Sequence, residues 1–364
     1  MQVSRWESVE SVPPPYDRLL AFGTVENYHS HASWYRNFLE TCLDPGDRPL
    51  LLGIADDDGR PCAILPLRRT GRSNLLPGAN QIDSLSNFYT CGYQPLAAPD
   101  TDRRSVASDI AGALWHQLRD FDVLRLDSLP KENGWPEDLA AALRDAGFFV
   151  DAFFHFGNWY EVVAGWSYDD YLASRPTKLR NTIRRRERKL REAEDVTFEM
   201  FKTQAEGERA MADYRRVYQA SWKEPEPYSR FTDGLIHHAA GAGALRLGVL
   251  RSAGRPIAAQ IWLHAEGRST IFKLAYDEAY KALSPGTVLT AWMLRQALET
   301  DQVREIDFGR GDDPYKRDWL SQRRERWGIL ACNPRRARGL LVTLRHLAGP
   351  RLKRFLRAEQ AETP

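Results

Sequence analysis

Ser284-Pro285-Gly286 is the place in this chain where the residue types ask for a ligand. Serine is a preferred N-cap, and proline fits the first helical position, where its missing N–H would be unpaired anyway. Glycine lets a backbone approach a bulky anion with no Cβ in the way. Behind the turn, Val288, Leu289, Trp292, Leu294, Leu298 and Val303 recur mostly three or four residues apart, the pattern of a helix with one packed face. A helix that opens in this way offers free N–H groups and the positive end of its dipole to an anion. A second candidate is the run from Lys178 to Arg191, with eight basic residues and one acid, Glu187. Arg180, Arg184 and Arg188 share one helical face, where like charges repel by a few tenths of a kcal/mol per pair. A phosphate relieves that repulsion, because guanidinium groups bind it bidentately. The plain alternatives are an ordinary strand–helix crossover and a solvated basic helix paired with acids from elsewhere.

The elements that must position these residues can be read around them. Thr270 to Ala275 is a short apolar strand ending at Tyr276, with Asp277 and Glu278 as turn residues. Arg304 to Phe308 is the next strand, ended by Gly309 and Gly311. The basic run lies in a helix expected over 168–193, with Leu179, Ile183 and Leu190 as its packing stripe. Upstream, Trp34, Tyr35, Phe38, Leu39 and Leu43 mark a helical apolar face. A short helix over 139–146 stops at Gly147, and an aromatic run from Phe148 to Val162 follows as strands. Arg326 to Cys332 is a final strand before a tail from 335 that carries eight basic residues up to Arg357 and no acid.

A weak internal repeat organises the chain. Leu50 to Leu67 aligns without a gap on Leu245 to Trp262, with identities that include Gly53/Gly248, Gly59/Gly254, Arg60/Arg255 and Pro61/Pro256. Two apolar runs joined by a Gly-containing turn are a hairpin signature. A helix precedes each copy, and a helix and an apolar strand follow it, as duplication of one α/β unit predicts. Where the second copy opens its helix with Ser-Pro-Gly, the first has AAPDTDRRS (97–105), so only the second is expected to keep the anion site.

With 364 residues the chain has room for two domains, and 43% hydrophobic with 27% charged residues is a globular balance rather than a disordered one. A net charge of +2 leaves anion binding to local clusters. Cys42, Cys62, Cys91 and Cys332 show no paired spacing, which argues against a zinc site or disulfide framework and suits a reducing compartment. The opening residues MQVSRWESVESVPPPYD lack an apolar leader, and no run approaches the ~18 apolar residues of a membrane span. The expectation is a cytoplasmic protein with no metal, whose basic amphipathic tail offers a peripheral contact with the inner membrane face.

The second half resembles the acetyltransferase domain of the GNAT superfamily as found in bacterial polysaccharide-synthesis proteins, the CelD/BioF2-like group. That group is itself similar to the FemAB aminoacyl-ligases, which also consist of two GNAT-like units. The segments that carry the likeness are KLRNTIRRRERKL from Lys178, ASWK from Ala220, GRP at Gly254, AYDEAYKALSPG from Ala275 and DFGRGDDPYK from Asp307. The resemblance implies an α/β (α+β) fold of two tandem GNAT-like units, each a mixed, mostly antiparallel sheet flanked by helices. Their expected extents are 1–160 for a degenerate first unit, 161–334 for the acyltransferase unit and 335–364 for the tail. It also implies acetyl-CoA, or another acyl-CoA, along Lys273, Leu274, Ala275 and Tyr276, with the pyrophosphate at Ser284, Pro285, Gly286 and Thr287. Commoner GNAT members carry QxxGxG/A at that turn; here a single glycine follows Ser-Pro, which leaves aminoacyl-tRNA open as the donor.

Acyl transfer from a thioester needs a positioned nucleophile, an oxyanion donor and a proton source for the departing thiolate. The N–H groups of Leu274 to Tyr276 are expected to supply the oxyanion donor. Lys316 matches the lysine that FemAB-like proteins place beside the acyl centre, Tyr315 is a candidate acid, and Asp312 or Asp313 a candidate base. Trp222, Lys223 and Asp307 are expected on the acceptor side, and Arg180 and Arg184 at an acceptor's phosphates. The function this suggests is N- or O-acetyl transfer to a saccharide or a nucleotide- or lipid-linked sugar in envelope or exopolysaccharide synthesis. A FemAB-like ligase that binds tRNA, and a non-catalytic binding protein, are the alternatives.

Overall fold

The computed structural model describes residues 1–22, 27–98, 101–192 and 195–346; Pro99 and Asp100 of the AAPDTDRRS stretch and the tail beyond 346 lie outside the described residues. Along the chain the first elements are β1 (Gln2–Trp6), α1 (Asp17–Phe22), α2 (Ala32–Thr41), β2 (Arg48–Ala55), β3 (Pro61–Arg69), β4 (Gln81–Ser84) and β5 (Leu96–Ala97). Then come α3 (Arg103–His116), β6 (Val123–Pro130), α4 (Trp135–Asp145), β7 (Phe149–Val162), α5 (Tyr168–Ser174) and α6 (Thr177–Arg191). The remainder is β8 (Val196–Phe201), α7 (Gly207–Gln219), α8 (Phe231–Gly241), β9 (Leu245–Ser252), β10 (Arg255–Ala265), β11 (Arg268–Tyr276), α9 (Pro285–Arg295), β12 (Glu305–Arg310), α10 (Lys316–Trp319) and β13 (Gln322–Cys332).

Two compact units divide these elements. One contains Met1–Phe22, Leu43–His155 and the described chain from Arg326; the other contains Gly23–Cys42 and Phe156–Glu325. The unit boundaries fall inside β7 and β13. In the first unit β2 and β3 form an antiparallel hairpin, β3 pairs antiparallel with β4, and β4 runs parallel to β6 through the α3 crossover. In the second, β9 and β10 form the hairpin, β10 pairs antiparallel with β11, and β11 runs parallel to β12 through α9. The same order of pairings confirms in three dimensions the repeat read from Gly59 and Gly254, both of which turn their hairpins at positive φ. Each unit is a mixed, mostly antiparallel sheet flanked by helices.

Three local readings change. The helix expected over 168–193 is broken into α5 and α6 at Arg175-Pro176, because proline disfavours α geometry in the residue before it. The sequence offered no strand between β3 and α3, yet β4 is there; its four residues QIDS contain one strongly apolar side chain, too little for a period-two signal. The aromatic run is one long strand, β7, rather than several.

The second unit positions the candidate site. Leu179, Ile183 and Leu190 of α6 are buried against α9 and the sheet with Leu250, Trp262, Leu289 and Leu294. α9 lies close on that face because Gly248 of β9 has no side chain: a Cβ there would stand 2.2 Å from the Met293 sulfur. On the other face pack α7 and α8, and with them α2. Asn37 of α2 donates to the Phe231 carbonyl of α8 at 3.2 Å, and His238 meets Glu40 at 2.9 Å. Gly234 permits the crossing, since its Cβ would sit 2.1 Å from Asn37 Oδ1.

Candidate active site

β11 and β12 pair only at Arg268↔Glu305, Ser269↔Ile306 and Thr270↔Asp307. β11 then continues to Tyr276 with β10 as its partner on one side, while β12 follows β7. From Ile271 onward, alternate N–H and C=O groups of β11 therefore face a gap between diverging strands. Backbone groups so placed need partners, and an extended ligand with amides can supply them as an added strand would. Lys273, Leu274, Ala275 and Tyr276 all lie on this stretch.

The gap leads to the start of α9. Asp277 caps the 3-10 turn Glu278–Leu283 by accepting from Ala279 N at 2.9 Å, and that turn delivers the chain to Ser284. Ser284 does not cap α9 with its side chain, as the sequence suggested; it takes a left-handed φ of 53°. Thr287 and Val288 spend their N–H groups on the Ser284 carbonyl, at 3.1 and 3.3 Å, and Pro285 has none to give. Of the first-turn donors the Gly286 N–H is left. Gly286 lies close under Tyr276: a Cβ would stand 3.1 Å from its ring, tighter than ordinary contact. The basic helix α6 flanks this turn: Arg186 and Lys189 both donate to the Ala282 carbonyl, at 3.0 and 3.2 Å, and neither is paired with an acid among the described residues. Arg186 Nε is buried with no protein partner. One amide N–H, a helix dipole and two unneutralised cations thus converge at one spot. In the first unit the equivalent helix start is closed, because the Asp102 carboxylate accepts from Arg104 N and Ser105 N.

The other side of Tyr276 is lined by the segment after α7. Glu278 N donates to Ala220 O at 3.1 Å, which fastens this segment to the end of β11. The half-exposed Trp222 ring lies 4.5 Å from that of Tyr276, and Lys223 Nζ lies 5.8 Å from the Trp222 ring. Burial, seconded by the neighbouring Lys273 ammonium, lowers Lys223 to about 8. Lys273 is ion-paired with Glu226, yet burial still lowers it from the ordinary lysine value. Tyr218 donates to Glu224 O at 2.6 Å, and burial together with Glu226 pushes its phenol far up.

A second group surrounds the end of β12. Asp307 is buried and accepts from Asn158 Nδ2 at 2.7 Å and Gly309 N at 2.6 Å, and it pairs with Arg324. Arg324 also donates to Asn158 Oδ1 at 2.6 Å and to Glu305 at 2.7 Å. Lys316 is buried, and its ammonium donates to the carbonyls of Phe308 at 3.0 Å, Arg310 at 2.7 Å and Gly311 at 3.3 Å. Its three N–H bonds are thereby committed to the turn. Asp312 accepts from Arg323 and from Trp159 Nε1 at 2.7 Å; the Arg323 hydrogen bond foremost holds its carboxyl below the usual range, which makes it a weak base. Tyr315 is half-exposed, its phenol pushed up to about 12 by burial with Asp313 adding.

The structure therefore gathers Lys273 to Tyr276, Ser284 to Thr287, Trp222 and Lys223 around one strand end. Asp307, Asp312, Tyr315 and Lys316 form a separate polar group. On α6, Arg180 donates to Thr177 Oγ1 at 2.9 Å and Arg184 points to solvent. Sequence reasoning missed Glu226, which lies 47 residues from Lys273 with no spacing signal, and it assigned the basic helix to the acceptor although Arg186 and Lys189 flank the α9 start. Among the described residues no group of three or more His, Cys, Asp or Glu is gathered as a metal would need, and no helix is long and apolar enough to cross a membrane.

Residues 177–317 match the family model described as "Acetyltransferase (GNAT) domain". The match runs from the start of α6 into α10 and takes in both groups of side chains. No curated protein sequence matches the chain. Among solved structures, FemX is similar with a TM-score of 0.63 at 10% identity, over 91% of this chain and 97% of that one. A conserved protein of unknown function from Bacteroides thetaiotaomicron is similar with a TM-score of 0.58 at 11% identity, over 91% and 100%. L-PGS from Bacillus licheniformis follows with a TM-score of 0.52 at 13% identity, over 93% and 96%. At these identities the shared property is the fold. The chain carries a GNAT-type acetyltransferase domain, and the protein is an acyltransferase.

Proposed function

We propose that the protein transfers an acyl group from an acyl-CoA to an amine or hydroxyl of a saccharide, free or linked to a nucleotide or lipid. One observation carries the reading: the open edge of β11 runs from Lys273 to Tyr276 directly to a glycine-bearing helix start flanked by Arg186 and Lys189. Along the edge, backbone N–H groups at 274–276 hold the donor's extended amides and face the carbonyl oxygen as charge develops there. At the turn, Gly286 N–H and the two cations meet the donor's phosphates, which offsets the scarcity of backbone donors. Lys223, neutral for part of the time near neutrality, takes the proton from the attacking group and stands close enough to the strand end to return it to the leaving thiolate. The apolar face of Trp222 offers a sugar ring a surface to stack on. Lys316 keeps the loop after β12 in shape and acts through it; Asp307 does the same through Arg324 and Asn158.

The exposed arginines of α6 favour a second reading, a FemAB-like ligase whose donor is aminoacyl-tRNA. Calorimetric titration with acetyl-CoA separates the two. Binding by the parent and its loss in Gly286→Trp supports the proposal. No binding by the parent refutes the donor assignment, and equal binding by both proteins refutes the placement of the phosphates. The tRNA reading instead requires RNA binding that weakens steeply as salt rises.

A further inference from the structure

Residues 337–346 are helical and belong to the first unit, where one side of the helix lies against β6 and β13. Val342 packs in a small core with Val123 of β6 and with Leu330 and Cys332 of β13. Gly339 allows the approach: a Cβ there would stand 2.2 Å from the Asn333 carbonyl oxygen and 2.7 Å from that of Asp122. Asn333 fastens the chain just before the helix, its N–H donating to the Asp122 carbonyl at 2.9 Å and its amide to the Phe121 carbonyl at 3.1 Å.

The opposite side of this helix carries leucines. At 3.6 residues per turn, Leu340, Leu341 and Leu344 project away from the buried Gly339, Val342 and Thr343. They are 42, 50 and 56% exposed. Single exposed apolar residues are ordinary, but three on one helix face make a patch that marks an interaction surface. Charge decides the partner. Arg335 lies 3.5 Å from the Trp115 ring, Arg336 pairs with Asp122 at 2.9 Å, and His346 meets Asp151 at 2.7 Å. Arg338 and Arg345, two turns apart on one flank of the leucines, are exposed and pair with no acid among the described residues. The sequence beyond 346 adds Arg351, Lys353, Arg354 and Arg357 before its first acid, Glu359. Cations without acids answer to a continuous negative surface, and an apolar stripe flanked by them suits the headgroup layer of a bilayer.

We infer that the helix over 337–346 docks the protein on an anionic lipid bilayer, with Leu340, Leu341 and Leu344 entering the headgroup layer and Arg338 and Arg345 meeting lipid phosphates. This goes beyond the acyl-transfer reading and does not depend on it.

The test is co-sedimentation of the full chain with vesicles of phosphatidylcholine, with and without phosphatidylglycerol. The parent should pellet with the anionic vesicles, at least tenfold more weakly with the neutral ones, and less as salt rises from about 0.1 to about 0.5 M. Replacing both Leu341→Asp and Leu344→Asp should weaken partition to anionic vesicles by about 100-fold, roughly tenfold per leucine. Replacing both Arg338→Ser and Arg345→Ser should weaken it by about 25-fold, roughly fivefold per cation. All four side chains are exposed, so Tm by circular dichroism should stay within about 2 °C of the parent. A parent that remains in solution beside anionic vesicles overturns the inference, as does equal affinity for neutral vesicles. Equal pelleting of the parent and the leucine variant also overturns it and moves membrane binding to another part of the chain. Sedimentation without vesicles covers the rival occupant: a parent dimer that the leucine variant makes monomeric, with no vesicle binding, overturns the docking and makes the stripe a contact between copies.

Discussion

Lys223 gives the sharpest test of the proposed chemistry, because one side chain controls both a stability curve and a rate profile. Its ammonium is largely withdrawn from water and faces Lys273, and its proton is held at about 8 instead of 10.5. The folded protein thus binds this proton less tightly than the unfolded chain does. Above pH about 10.5 neither state carries the charge and there is no penalty. Below about 8 both states carry it, and the folded state bears the whole penalty. Stability should therefore rise as the pH climbs from about 8 to about 10.5. At about 1.4 kcal/mol per pH unit the gap is worth about 3 kcal/mol, an upper figure for a side chain still partly open to water. Lys223→Met keeps the stem and removes the charge. It should stabilise the protein at pH 7 by about 2 kcal/mol and flatten the parent's rise between pH 8 and 10.5. Urea unfolding of both proteins across that range gives the difference directly, since other titrating groups are common to both. The same substitution should lower kcat by about 100-fold or more if Lys223 moves the proton. The parent's kcat/KM, followed by release of the CoA thiol, should rise to a plateau with its midpoint near pH 8. A Lys223→Met protein no more stable than the parent at pH 7 would refute the burial argument. Undiminished turnover, or a profile flat through pH 8, would refute the catalytic one.

Lys316→Met should cost about 3 kcal/mol in urea unfolding, because one buried and two part-buried carbonyls lose their donor together; full stability with kcat abolished would return Lys316 to a direct chemical role. Asp312→Asn should change kcat by less than about threefold and stability by less than about 1 kcal/mol, as its carboxylate is a partly exposed partner of Arg323. A drop of about 1,000-fold in kcat would identify Asp312 as the base after all. Arg324→Leu leaves Asp307 and Glu305 without their shared cation and should destabilise by about 3–5 kcal/mol; a Tm within 1–2 °C of the parent, read by calorimetry, would show that Asn158 and Arg268 suffice.

How much was legible depended on whether the signal was local. The hairpins at Gly59 and Gly254, the apolar periodicity behind Ser284 and the packing stripe of α6 are short-range patterns, and the structure has them where the residues put them. Proline at 176 carried a local signal too, since it forbids the continuous helix that the basic run alone suggests. Strand β4 was hidden because QIDS alternates too weakly to register, and it forms through its neighbours β3 and β6. Lys316 illustrates the limit for the site: the family resemblance placed it beside the acyl centre, and only the fold of the turn around it shows its three N–H bonds donated to carbonyls.

By itself the sequence determined the duplicated strand–turn–strand–helix plan, the single glycine-bearing helix start and the cationic helix, because each is a pattern within one or two turns of chain. The tertiary structure decided what those parts do to each other. It set α6 beside the α9 start, brought the Trp222 ring against Tyr276 with Lys223 beside it, paired Lys273 with Glu226 and fastened α2 to α8 in the second unit. The reason is physical: the properties that make a site, burial and the company of charges, arise from residues tens to hundreds of positions apart, and no spacing along the chain encodes them.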